Sequence, residues 1–113
     1  MPAKRPTLSE AELLSCVIDT ARVVGWRVAH FRPSQTKHGW RTAVQGDGKG
    51  FPDLVLVRDA VLFVELKVGG NTLSSEQAAW LEALRAAGAE AYVWTDAHWL
   101  SGEIEAMLRR APA

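Results

Sequence analysis

The sequence predicts an α/β fold, a sandwich of helices around a small mixed sheet, from three observations. Residues 9–25 carry apolar side chains at helical spacing, residues 50–69 hold two apolar runs around a tight turn, and residues 74–94 place a second capped amphipathic run before an apolar strand. The expected order is helix, strand, strand, strand, helix, strand, helix. At 113 residues the chain suits one domain over residues 1–113 with a single core.

Residues 1–7 read as a disordered basic lead-in. Ser9 is the expected N-cap of the first helix, because Glu12 three positions later completes a capping box. Leu13, Leu14, Val17, Ile18, Ala21 and Val24 then recur at helical spacing up to Gly25, a plausible stop. Glu10 stands three, four and seven residues before Leu13, Leu14 and Val17, so it is expected on the buried face, where a carboxylate needs a partner. A plainer role is open to it as a first-turn acid favoured by the helix dipole.

Residues 26–31 (WRVAHF) alternate and predict a strand. His30 in it is a candidate general acid or DNA contact, or a hydrogen-bonded strand histidine. Residues 33–50 are a long polar segment with Gly39, Gly46, Gly48 and Gly50. At that length inside a small domain a functional role is expected. Lys37, His38, Trp40, Arg41 and Lys49 combine positive charge with an aromatic ring, which suits phosphates and unstacked bases. With Arg32 they make a candidate DNA-contacting flap.

The stretch GFPDLVLVRDAVLFVELKVG, residues 50–69, predicts two strands joined at Asp59-Ala60. Alternation puts Glu65 and Lys67 on one face with Phe63, and Val64, Leu66 and Val68 on the core face. Paired as a hairpin, the strands bring Asp53 to the same open end as Glu65. Two carboxylates beside an ammonium are costly to desolvate uncompensated. Mg²⁺ compensates them, since it favours one or two carboxylates plus water and substrate phosphate. A solvated cross-strand salt bridge is the bland alternative, worth only ~0–1 kcal/mol. After a turn at Gly69-Gly70-Asn71, Ser74 and Gln77 form a second capping box, and the helix runs through Trp80, Leu81 and Leu84 to Gly88. Residues 89–94 are the last strand. Asp96 is placed to cap a short turn, Ile104, Met107 and Leu108 mark a final helix, and residues 111–113 are expected to fray.

No apolar run approaches the ~20 residues of a membrane span, and MPAKRPTLSE lacks the apolar segment of a secretory signal. The single Cys16 rules out an internal disulfide, and three scattered histidines make a Cys/His zinc site a poor reading. A reducing, cytoplasmic setting is expected. Net charge is zero, yet residues 22–49 carry Arg22, Arg27, Arg32, Lys37, Arg41 and Lys49 against Asp47 alone, while residues 82–105 carry five acids against Arg85. One basic end is expected, fit for a phosphate backbone.

Pro52-Asp53, eleven intervening residues and Glu65-Leu66-Lys67 resemble the PD-(D/E)xK nuclease signature. GFPDLVLV, FVELK, LSSEQAAWLEAL and GAEAYVW are similar to the VRR-NUC branch, in its small standalone form of bacteria and phages; the likeness spans residues 9–99. It implies a restriction-endonuclease-like fold and hydrolysis of a DNA phosphodiester in a bacterial cell or phage-infected host. Asp53, Glu65 and the Leu66 backbone carbonyl would hold one or two Mg²⁺ ions, with Mn²⁺ able to substitute. Lys67 would position or deprotonate the attacking water, or neutralise charge building on the phosphorane; arginine could not easily replace it as a proton acceptor. Glu10 matches a family glutamate that reaches toward the metal, and Gln77 one that faces the site. The resemblance also implies a homodimer acting on branched DNA, above all four-way (Holliday) junctions in repair and recombination. A flap or nonspecific nuclease, a catalytically silent DNA-binding module and a partner-dependent subunit are the alternatives.

Overall fold

The structure, a computed structural model, describes residues 7–31, 34–36, 39–41 and 46–111, with backbone alone for 34–36 and 39–41. Helix α1 (Glu10–Val23) starts where its sequence says it should. The Ser9 hydroxyl accepts from the Glu12 amide at 3.1 Å and the Glu12 carboxylate accepts from the Ser9 amide at 3.0 Å. The two bonds satisfy amides that a helix start leaves unpaired. Leu13, Val17 and Ala21 are its buried stripe. Beyond Val24, Gly25 takes φ 95°, where a side chain is disfavoured, and the chain turns into β1 (Arg27–His30).

The segment expected as a DNA-contacting flap that orders on binding holds a two-stranded antiparallel ribbon, β2 (Ser34–Thr36) with β3 (Gly39–Arg41). Three-residue polar strands carry no apolar alternation, so sequence patterning does not reveal them. The expected hairpin forms at the centre of the main sheet. β4 (Leu54–Val57) runs antiparallel to β1 and to β5 (Val61–Lys67), and β6 (Glu90–Thr95) lies parallel to β5, giving the order β1-β4-β5-β6. The parallel pair needs a crossover, which α2 (Ser75–Ala86) supplies.

Register sorts side chains to the two faces, because cross-strand partners share one. Val28, Leu56 and Leu62 form one row and His30, Leu54 and Val64 the next. This is the core face. Leu54, Leu56, Leu62, Val64 and Leu66 are buried there with Leu13, Val17 and Ala21 of α1 and with Ile104 and Leu108 near the C-terminus. The opposite face carries Val55, Phe63, Glu65 and Lys67, and α2 packs on that side against β6.

The final helix expected at Ile104, Met107 and Leu108 is α4 (Glu103–Leu108), and the short turn expected at Asp96 is a helix of its own, α3 (Asp96–Leu100), parted from α4 by Gly102 at φ 87°. Thr95, rather than Asp96, caps α3, and Asp96 is its buried first residue. Ile104 and Leu108 are fully buried, each worth about 1.5–3 kcal/mol. The Trp26 indole donates to the Leu108 carbonyl at 2.9 Å, and Arg58, 4.6 Å over that indole, donates to the carbonyls of Val24, Leu108 and Arg110. Among the described residues no helix is long and apolar enough to cross a membrane. A four-stranded mixed sheet flanked by helices is the α/β class expected, compatible with a restriction-endonuclease-like fold.

Candidate active site

The site lies where the β4–β5 ladder ends. The last paired rung is Leu54 with Val64, so the next outward amide of β5, that of Leu66, has no ladder partner. Asp53 fills the gap, its carboxylate accepting from the Leu66 amide at 2.9 Å. Its own carbonyl accepts from the Phe31 amide at 2.8 Å, which ties β1 to the same point. A local backbone need therefore fixes Asp53 beside Glu65.

Glu65 is 2% exposed. One of its oxygens, Oε2, accepts from Gln77 Nε2 at 2.9 Å and lies 3.7 Å from Lys67 Nζ. The other, Oε1, is buried without a hydrogen-bond partner. Burial, reinforced by the negative charge of Asp53 and only partly offset by Lys67, pushes the Glu65 carboxyl up to about 8. Without a cation this acid holds a proton at neutral pH.

Gln77 serves two structures at once. Its amide oxygen accepts from the Ser74 amide at 2.8 Å and its own backbone amide donates to the Ser74 hydroxyl at 3.1 Å, closing the α2 capping box. That leaves Nε2 for Glu65. The cap and the site contact, both expected from the sequence, are made by one side chain.

The start of α2 is held in turn by residues 46–52. Gly50, at φ 85°, lies so close to α2 that a Cβ there would fall 2.6 Å from the Glu76 carbonyl carbon and 2.8 Å from the Gln77 amide. Phe51 next to it meets Phe31, Phe63 and Trp80 edge-on, with ring centroids 5.3, 6.2 and 5.1 Å away. The Trp80 indole donates to the Asp47 carbonyl at 2.8 Å. This aromatic cluster, unforeseen from the sequence, braces Gln77 against Glu65. Its only sequence signal was the glycine next to an aromatic.

Other candidates lie apart. Glu10 is exposed, a correction to its expected place on the buried face: it sits one turn before Leu13, and α1 covers the sheet face opposite Glu65. His30 shares the core face with Leu54 and Val64, so strand alternation turns it away from Asp53 and Glu65. Lys49 is solvent-exposed and pairs with Glu76 at 3.4 Å. Arg41 belongs to β3, its side chain outside the described residues, as are Arg32, Lys37 and His38 altogether. Asp47 is exposed at the surface.

Among the described residues no three His, Cys, Asp or Glu side chains gather as a metal cage. The donors present are the Asp53–Glu65 pair and the Leu66 backbone. A buried, partnerless carboxylate oxygen facing a second acid fits a hard divalent cation that keeps part of its water shell. It does not fit a closed four-ligand zinc site. The family model described as VRR-NUC domain matches residues 12–97, which contain Asp53, Glu65, Lys67 and Gln77. No curated protein matches the chain.

Proposed function

The chain belongs to the VRR-NUC family of nuclease domains, and on that premise we propose that it is a Mg²⁺-dependent, structure-selective DNA endonuclease that hydrolyses phosphodiester bonds in branched DNA, four-way junctions above all. The observation that carries the reading is Glu65: a buried acid with one oxygen unpartnered, set against Asp53 and within reach of Lys67. A buried acid perturbed by desolvation and by a specific charge partner is what a site of chemistry requires.

Asp53, Glu65 and the Leu66 carbonyl would hold Mg²⁺, or Mn²⁺ in its place. When bound, the cation polarises a non-bridging phosphate oxygen and lowers the pKa of its water. The chain's own residues supply the rest. Asp53 is fixed by the Leu66 amide, so it enters the reaction with its geometry set. Gln77 orients Glu65. Lys67, on the same face, holds the water or phosphate by its ammonium and offsets charge that grows on the phosphate oxygens. The junction and the homodimer rest on likeness to standalone family members, for which two sites about a two-fold axis suit paired nicks.

The test is cleavage of labelled four-way junction, flap and linear duplex with Mg²⁺, with Asp53→Asn as control. Junction cutting that Asp53→Asn abolishes supports the reading. Equal cutting of all three removes the junction preference and leaves the nuclease. Tight binding with no cutting in any cation makes the chain a silent DNA-binding module instead.

A further inference from the structure

On the core-face side of the sheet edge, α1 and β1 enclose a groove of about 480 Å³ lined by Arg22 and His30 over a floor that includes Ile18 and Val28, with Arg27 on the same edge strand, its side chain alternating to the other face. No carboxylate lines it. Arg22 and Arg27 are exposed, and among the described residues neither guanidinium has a hydrogen-bond or ion-pair partner. Among the described residues the contrast is sharp: Arg58, Arg85, Arg109 and Arg110 all engage carbonyls or carboxylates. Two unneutralised guanidiniums on either side of one edge strand, Arg22 by the acid-free groove and Arg27 on the opposite face, attract an anion with repeating charge that bends around that edge.

We propose that this groove is a second contact for the phosphate backbone of DNA, distinct from the acid pocket and reached by an arm that bends around the β1 edge. It rests on the nuclease reading, and it adds where the uncut part of the substrate lies. β1 is the outer strand of its sheet. Arg27 to His30 spans about 10 Å of strand, the rise of about three nucleotides. At the His30 end the chain is one residue from Phe31, whose amide bonds the Asp53 carbonyl. A backbone leaving the Asp53–Glu65 pocket over that edge meets the groove on the other side. A bent or branched substrate makes both contacts; a straight duplex on the pocket face does not.

The experiment compares wild type with Arg22→Gln/Arg27→Gln by fluorescence anisotropy of a labelled four-way DNA junction, in EDTA so that nothing is cut, across about 50–200 mM salt. Loss of two phosphate contacts lowers the salt slope by about 1.8 and the affinity roughly 10- to 100-fold. Cleavage at saturating junction with Mg²⁺ stays at the wild-type rate. An unchanged slope overturns the groove while the nuclease stands. So does an unchanged slope with new aggregation, which assigns Arg27 to guarding a sheet edge against pairing. A wild-type chain that neither binds nor cuts DNA overturns the nuclease reading, and the groove with it.

Discussion

Gln77 donates to Glu65 at 2.9 Å from the amide whose oxygen closes the α2 cap on Ser74 at 2.8 Å. Fold and site thus share one side chain, and substitutions can separate the two roles. Gln77→Glu keeps an acceptor for the Ser74 amide but replaces the donor to Glu65 with a third acid. It should melt near wild type and lose about 100-fold in cleavage, the scale of a misplaced reacting group. Gln77→Ala loses both roles and should also unfold about 1 kcal/mol more easily. Urea titrations read beside cleavage rates check the pair; equal activity of Gln77→Glu and wild type would exclude an orienting role.

Glu65 gives the metal-free protein an unusual pH dependence. Its carboxyl is raised from 4.5 to about 8, so between those values the native chain binds a proton that the unfolded chain releases. Stability from this group is complete below about 4.5 and is lost as pH rises toward 8, by a few kcal/mol. Denaturation in EDTA at several pH values should show the fall, and Glu65→Gln should flatten it. A cation at this site displaces the proton, so Mg²⁺ affinity should rise about tenfold per pH unit below 8. A pH-independent affinity measured by calorimetry would place the cation elsewhere.

Gly50→Ala should be among the most damaging single-methyl changes. The new Cβ meets α2 backbone at 2.6–2.8 Å and the position has φ 85°. Neither helix backbone nor a left-handed turn yields cheaply. The expected cost is about 2–4 kcal/mol, with activity falling further than stability because Gln77 moves with the helix start. Thermal melts alongside cleavage at a temperature where the variant is folded check both halves.

Much of this fold was legible because its cues are local. The capping boxes at Ser9 and Ser74 are three-residue patterns, and alternation placed Glu65 and Lys67 opposite Leu66. What failed needed three dimensions. Helical spacing aligned Glu10 with Leu13 and Val17 but could not show that Glu10 is exposed while Leu13 is buried. Strand alternation in WRVAHF did not reveal which face His30 takes relative to Asp53; register did. Phe31, Phe51, Phe63 and Trp80 meet from four separate stretches, so no window of sequence contains their cluster.

The family match ends at residue 97 while the core continues to Leu108. Ile104→Ala empties a fully buried place under α1 and the sheet, far from Glu65 in the chain. It should cost about 2–5 kcal/mol. Arg58→Ala, which takes a donor from the carbonyls of Val24, Leu108 and Arg110 and uncovers Trp26, should destabilise as well. Both variants should keep wild-type cleavage at temperatures where they remain folded, measured against circular dichroism.

Lys67 decides between two roles for the ammonium beside Glu65. At 3.7 Å from Oε2 it contributes positive charge that holds the Glu65 pKa below where burial alone would put it. Lys67→Met removes that charge, so Glu65 should keep its proton to higher pH, Mg²⁺ should bind more weakly, and cleavage should fall by about 10²–10⁴-fold. Lys67→Arg keeps the charge but cannot release a proton near neutrality. If Lys67 accepts the proton of the attacking water, Arg should be as inactive as Met while binding Mg²⁺ like wild type. If it acts through charge alone, Arg should recover a large part of the rate. Single-turnover cleavage across pH, with Mg²⁺ saturating for each variant, separates the two outcomes.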